Sequence, residues 1–225
     1  MAVARGEVGP PRRTPASFQA DLGVLPHAPG SLPFSARLYG ETGADSASVR
    51  YRLDAFGFPS AVVASWLWSD GRWTLVRHDR GEVITGEGSS LGVEDSPVQI
   101  PDVRVVLGVF AGEPLPGYPG VGKPEADAGG LVRWRYQDET WEASIDPSTG
   151  LCREVRSASL TLSYARHHVR DGFVVPDAIE VVTRGGDTLL TLGVRDWKAS
   201  PVWIKNPFDL VIPSGYKRRQ ASGVE

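Results

Sequence analysis

The chain has 225 residues, of which 41% are hydrophobic and 23% charged, and its formal net charge is -3 at pH 7. This hydrophobic content is enough for a folded core and too high for a disordered chain. The small net charge gives no indication of a nucleic-acid partner, and the single cysteine, Cys152, excludes an intramolecular disulfide and a cysteine zinc site. No apolar run reaches the roughly 18–20 residues of a membrane-spanning helix.

The N-terminal segment is rich in Gly, Pro and Arg, so we expect residues 1–15 to be disordered. It lacks the apolar stretch of a signal peptide, which fits either a cytosolic protein or one without its export signal. The next segment, Ser17 to Leu25, is predicted to form at most a short helix. Phe18, Leu22 and Leu25 would share one side of that helix, and prolines follow it.

Short strand candidates separated by turn residues follow. Glycines and the sequences Gly57-Phe58-Pro59 and Asp70-Gly71 lie between them and are typical of turns. A spacing of roughly 8–12 residues per strand favours a barrel or a sandwich. The predicted strands are Phe34 to Tyr39, Ser48 to Phe56, Ser60 to Trp68, Trp73 to His78 and Val83 to Thr85.

One segment in the middle of the chain has a helical pattern. Val103, Val106, Leu107 and Phe110 follow the i, i+3, i+4, i+7 spacing of a single helix face, and Pro101 suits a first helical turn. The valines would also fit a strand, but the spacing favours a helix with one apolar face.

The sequence pattern in the second half of the chain again predicts strands. Leu131 to Tyr136 and Thr140 to Ile145 form a hairpin, and Leu151 to Val155 is a further strand. From Ser159 onward, apolar and polar residues alternate in three runs separated by Asp171-Gly172 and Gly185-Gly186, which predicts an antiparallel meander. In total we expect ten or eleven strands and one or two helices in a single domain over residues 16–216, with a flexible basic tail at 217–225.

Several patterns typical of enzymes occur in the sequence, but none has the structural context that its chemistry requires. Residues 117–124 resemble a phosphate-binding loop, but Pro124 replaces the hydroxyl residue. Residues 88–92 match G-x-S-x-G, yet no helical pattern follows Ser90. The adjacent His167 and His168 point to opposite faces of a strand and cannot bind the same ion without a bulge. We therefore predict no enzymatic activity, cofactor or metal; an esterase with Ser90 as nucleophile is the enzymatic alternative.

Several tryptophans are predicted to share sheet faces. Trp66 and Trp68 are two residues apart, Trp73 follows across a turn, and Trp134 and Trp141 face each other across a hairpin. Such rows either fill a core or line an apolar ligand cavity, and their spacing does not distinguish the two.

Three features together resemble the superfamily of the outer-membrane lipoprotein carrier and receptor, LolA and LolB. The first is the block of strands from Phe34 to Val76, with its turn at 56–59. The second is the mid-chain helix followed by the Gly-Pro loop at 112–116. The third is the closing pattern of Tyr164, Val175 to Ile179, and Phe208 to Pro213. The similarity covers residues 34–213.

The resemblance implies a half-open antiparallel barrel around an apolar cavity, with helices as a lid and acyl chains as ligands. It also implies that the turn carrying Phe56 and Phe58 meets a membrane, the alternative being that Phe58 packs under the barrel rim. The residues implied to line the cavity are Leu53, Trp66, Trp68, Val103, Val106, Leu107 and Phe110.

The leading hypothesis is therefore a non-enzymatic protein of the bacterial envelope, periplasmic or anchored to the outer membrane, that binds lipids or acylated lipoproteins. The alternative is a scaffold subunit of an envelope complex, with a packed barrel core and a protein partner. Two departures from the family pattern are the missing long N-terminal helix and the absence of a lipid-attachment cysteine.

Overall fold

The structure is a computed structural model that describes residues 15–42, 49–88, 102–111, 127, 130–136 and 139–221. The helix α1 (Val103–Gly108) continues into a 3-10 turn, Val109–Ala111. The strands, in chain order, are β1 (Ser17–Pro26), β2 (Phe34–Thr42), β3 (Val49–Phe56), β4 (Val62–Ser69), β5 (Arg72–Arg77), β6 (Glu82–Glu87), β7 (Leu131–Tyr136), β8 (Glu139–Ile145), β9 (Cys152–Arg156), β10 (Leu160–Arg170), β11 (Phe173–Thr183), β12 (Thr188–Ala199) and β13 (Lys217–Gln220).

All these strands belong to one open sheet of 13 strands, in the order β13-β6-β5-β4-β3-β2-β1-β12-β11-β10-β9-β8-β7. Neighbours are antiparallel except β13 and β6, which are parallel. The predicted fold class, a mainly β half-open barrel with a covering helix, is confirmed. Every predicted strand is present, and the two additional strands are β1 and β13.

Strand β1 corrects the helix predicted for Ser17 to Leu25. Phe18, Ala20, Leu22 and Val24 are each at most 2% exposed, whereas Leu25 is 41% exposed, which is the alternation of a strand. β1 pairs with β2 on one side and with β12 on the other, so it joins the two halves of the sheet. The spacing of Phe18 and Leu22 fits both the helical and the strand period. The pairing of β1 with strands on both of its sides establishes that the segment is a strand.

Strand β13 corrects part of the predicted flexible tail. Lys217–Gln220 pairs with β6 and covers its outer edge, although all four side chains are exposed. Residues 222–225 of the predicted tail lie outside the described part of the chain, as do residues 1–14.

The segment between β12 and β13, residues 200–216, crosses the outer face of the sheet, and we call it the C-terminal strap. The Trp203 ring lies 6.2 Å from that of Tyr39 on β2, and Arg52 on β3 donates a hydrogen bond of 2.5 Å to the Pro207 carbonyl. Phe208 is 5% exposed and packs on Trp203 and beneath the Arg50 guanidinium. The strap thus covers the outer face of β2 and β3 before it reaches β6.

The opposite, inner face of the sheet carries the main core. Side chains from most strands, together with α1 and the 3-10 turn, form one continuous buried apolar cluster. In the described part of the chain, no helix is both long and apolar enough to cross a membrane.

Candidate ligand-binding interior

One wall of the interior is made by β3, β4 and β5. Strand alternation directs Leu53, Trp66 and Trp68 to the inner face, and each is 3% exposed. The antiparallel register places Leu53 opposite Trp66 and Trp68 opposite Trp73. The predicted row of tryptophans on one face is therefore present.

The other half of the sheet contributes a second aromatic wall. Trp134 and Trp141 are register partners on β7 and β8, with ring centroids 6.4 Å apart and nearly parallel planes. Between the two halves, Trp197 on β12 stacks on Phe18 of β1 at 6.3 Å. Aromatic rings thus lie on the inner face from one half of the sheet to the other.

The described side chains of the helical segment are buried in the same apolar cluster, and its 3-10 turn contacts β1 and β2. Val103, Val106, Leu107 and Phe110, the residues of the predicted apolar face, are at most 2% exposed. Val105 and Val109 are also buried, at 0% and 3%. The prediction of a helix with a single apolar face is therefore wrong in this respect: described side chains on its other sides are enclosed too.

Polar contacts hold the two ends of this helical segment. The Asp102 carboxylate caps the N-terminus by accepting a 3.0 Å hydrogen bond from the Val105 amide. At the other end, the Trp197 indole donates a 3.1 Å hydrogen bond to the Phe110 carbonyl. Valine is a poor helix former, so the helical conformation depends on packing within the sheet.

The described interior is strongly apolar. Burial raises the pKa of the Cys152 thiol to about 12 and raises the pKa of the buried Tyr164 hydroxyl well above its ordinary value. The Trp66 indole Nε1 is buried, and no acceptor for it lies in the described part of the chain. The thiol and the hydroxyl are neutral near pH 7, and the Trp66 indole N–H is a donor without an acceptor among the described residues.

The seven residues predicted to line a cavity belong to one cluster. Each is at most 3% exposed, so a ligand reaches them only if neighbouring groups of the buried cluster move. A cleft of about 300 Å³ is present at the sheet edge, lined by Thr74, Val83, Thr85, Ile212, Arg218, Arg219 and Gln220.

The β3–β4 turn presents an exposed aromatic side chain. Phe58 is 99% exposed, while Phe56 is half-buried with the Arg37 guanidinium 5.9 Å above its ring. Leu32, in the β1–β2 turn at the same end of the strands, is 77% exposed. Of the two alternatives for Phe58, the structure has the exposed one. Sequence reasoning missed Leu32, because a single leucine in a proline-rich turn has no periodic pattern.

The catalytic alternatives gain no support. His168 contacts Asp177, and His167 contacts the Tyr164 ring instead. Among the described residues, no group of three or more side chains is arranged to hold a metal ion. Ser90 and the loop at 117–124 lie outside the described residues.

Neither a protein-family model nor a curated protein matches this sequence. Solved structures match its fold. A DUF1329 family protein from Desulfovibrio piger aligns with a TM-score of 0.54 at 10% identity, over 83% of this chain and 87% of that one. A putative outer membrane lipoprotein-sorting protein domain from Vibrio parahaemolyticus aligns with a TM-score of 0.54 at 11% identity, over 86% and 89%. A LolA superfamily protein from Nitrosomonas europaea aligns with a TM-score of 0.47 at 11% identity, over 85% and 89%.

The first two alignments extend over most of both chains. The fold implied by the LolA and LolB resemblance is therefore confirmed.

Proposed function

We propose that this chain binds the acyl chains of lipids or lipoproteins in the interior of its sheet, as a protein of the bacterial envelope. The observation that carries the proposal is α1, a short helix whose described side chains are buried in one apolar cluster with the aromatic walls. An apolar segment inside an open sheet occupies space that an acyl chain can take when the segment moves. The fold shared with a putative lipoprotein-sorting domain supports the same function.

In such an exchange, burial of the acyl chain offsets the exposure of the apolar helical segment. Each methylene moved from water into an apolar site contributes about 0.8 kcal/mol, so a partly buried chain reaches useful but reversible affinity. Displacement of the helical segment breaks the Trp197 hydrogen bond to the Phe110 carbonyl. We infer that Leu53, Trp66, Trp68 and the inner residues of the helical segment contact the bound chain.

The exposed Phe58 is the proposed membrane-contact residue, with Phe56 supporting its turn. Leu32 in the neighbouring turn adds a second apolar side chain at the same end. An aromatic ring in an exposed turn suits shallow insertion among lipid headgroups. We propose a role in lipid or lipoprotein transport or insertion at the outer membrane, from the periplasm or from an anchored position, and without enzymatic activity.

Native mass spectrometry with organic extraction of the purified protein tests the proposal. We expect co-purified or added fatty acid to appear as an adduct. Phe110→Asp, which puts a charge into the interior, should abolish the adduct, whereas Phe58→Asp is the matched control and should leave it unchanged in solution. Trp197→Phe keeps the aromatic packing but removes the hydrogen bond to the helix, and it should speed chain uptake.

A second candidate is a scaffold subunit of an envelope complex with a permanently packed core. The near-complete burial of the interior residues favours it. It predicts that neither the wild-type protein nor Trp197→Phe binds fatty acid, and that a protein partner is retained instead.

A further inference from the structure

A cluster of positive side chains surrounds one carboxylate on the β10–β11 hairpin. Asp177 Oδ2 lies 3.0 Å from His168 Nε2 and 3.7 Å from Arg166 Nε. Its Oδ1 lies 3.2 Å from Arg170 Nη2. Two guanidinium groups therefore face one carboxylate, and the cluster carries excess positive charge even when the histidine is neutral.

The carboxylate at the centre of this cluster is on the inner face of the sheet. Asp177 lies between Val175 and Ile179 on the same side of β11, and these two residues are 1% and 0% exposed within the apolar cluster. At the same time, the side chains of Arg166 and His168 are 83% and 58% exposed. The charges therefore lie where the apolar interior meets solvent.

The sheet is split beside this cluster. The ladder between β11 and β12 ends at Ala178 opposite Gly193, whereas β12 continues to pair with β1 as far as Ala199. Across the split, the Phe173 ring packs on Trp197 at 5.5 Å. An apolar chain that passes between the separated segments would run from the cluster past the Phe173 ring to Trp197. Trp197 is the residue that holds the end of the helical segment by its hydrogen bond to the Phe110 carbonyl.

Arg170 bridges the split and retains hydrogen-bonding capacity. Its Nη1 donates to the Arg195 carbonyl at 3.4 Å. Its Nε is buried, and no acceptor for it lies in the described part of the chain. A buried donor without an acceptor is uncommon, and an anionic oxygen would satisfy it.

We propose that this cluster binds the carboxylate or phosphate headgroup of an anionic amphiphile whose chain lies in the interior. The proposal rests on the proposed function and adds the chemistry of the headgroup. Arg166, His168 and Arg170 supply the donors, and Phe173 and Trp197 line the path of the chain. The preferred ligands are fatty acids and acidic phospholipids, and neutral lipids bind more weakly.

Calorimetric titration of the full chain with dodecyl phosphate and with the uncharged monododecanoyl glycerol tests this. We expect dodecyl phosphate to bind up to about fivefold more tightly, since a partly exposed charge pair contributes at most about 1 kcal/mol, which is a factor of about five. Arg166→Gln should remove most of this preference and leave the affinity for the neutral ligand unchanged. Arg184→Gln, which replaces an exposed arginine of the β11–β12 turn, is the matched control and should keep the preference.

The reciprocal variant Asp177→Asn removes only the negative charge and should strengthen dodecyl phosphate binding. Equal affinities for the two ligands, unaffected by Arg166→Gln, would overturn the headgroup site while leaving acyl-chain binding in place. Failure of both ligands to bind would overturn the headgroup site together with the proposed function. Inorganic phosphate that binds as tightly as dodecyl phosphate would show a free-anion site and contradict the amphiphile assignment.

Discussion

At the scale of single residues, Phe18 and Gly40 show how the centre of the sheet is packed. They are register partners on β1 and β2, and the Phe18 ring covers the glycine. A Cβ atom on Gly40 would overlap that ring. The absence of a side chain at position 40 therefore lets Phe18 reach both Tyr51 and Trp197.

We expect Gly40→Ala to lower the free energy of unfolding by about 1–3 kcal/mol, because the ring must leave its position in a closely packed core. Urea denaturation measures this change. Gly193→Ala is the matched control, since a Cβ there would lie 3.8 Å from the Gly23 carbonyl oxygen, an ordinary contact. Equal midpoints for Gly40→Ala and the wild type would show that Phe18 does not pack in this way.

Cys152 should report on the opening of the interior. Burial raises the pKa of its thiol to about 12, so very little thiolate is present in the folded protein at neutral pH. We expect alkylation by iodoacetamide at pH 7.5 to be slow and to accelerate in urea together with unfolding. Because the folded-state pKa lies above the unfolded one, this group favours unfolding as the pH rises above about 8.5. Fast alkylation under native conditions would contradict the buried position.

Periodicity determines which residues can be predicted from the sequence to be buried. Trp66, Trp68 and the helical residues were identifiable as buried because each belongs to a repeating pattern on one element. Asp177, Arg166 and Arg170 were not identifiable as a cluster, since their meeting depends on the β10–β11 register and on the irregular backbone at Arg166.

At the scale of elements, the C-terminal strap and β13 have no periodic pattern that predicts their place on the sheet, although Phe208 to Pro213 belong to the family resemblance. Residues 200–216 have no alternation, so they read as a loop, and β13 contains only polar residues. What makes Lys217–Gln220 a strand is the free edge of β6, which is distant in sequence. In contrast, β2 to β6 and β7 to β12 were predictable because each strand alternates and is bounded by a local turn.

The strap should contribute to stability through Phe208. This side chain is 5% exposed and packs on Trp203 and Arg50, so Phe208→Ala should lower the free energy of unfolding by about 3 kcal/mol. Ile204 in the same strap is fully exposed, and Ile204→Ala should change it by less than about 0.5 kcal/mol. Chemical denaturation of the two variants side by side provides the comparison. Equal effects would mean that the strap does not pack on the sheet.

The helical segment shows a different limit of sequence reasoning. The i, i+3, i+4, i+7 pattern correctly predicted a helix that begins at Val103. It indicated one apolar face, because a pattern cannot reveal that Val105 and Val109 also meet apolar neighbours. The burial of these additional side chains is a tertiary property, and it is this property that suggests a displaceable segment.

At the scale of the whole molecule, the open sheet explains the arrangement of the tryptophans. The chain has seven tryptophans, and six of them belong to the inner cluster: Trp66, Trp68, Trp73, Trp134, Trp141 and Trp197. The seventh, Trp203, lies in the strap on the outer face. Tryptophan fluorescence therefore reports mainly on the inner face.

Our main proposal is that an acyl chain enters the space now held by α1. The most direct test is titration with a fatty acid brominated near the middle of its chain, because bromine quenches tryptophan only at short range. We expect strong quenching at saturation, none with the unbrominated fatty acid, and loss of quenching in Phe110→Asp. Binding without quenching would place the chain on the outer surface and contradict the claim, and an absence of binding would favour a permanently packed core.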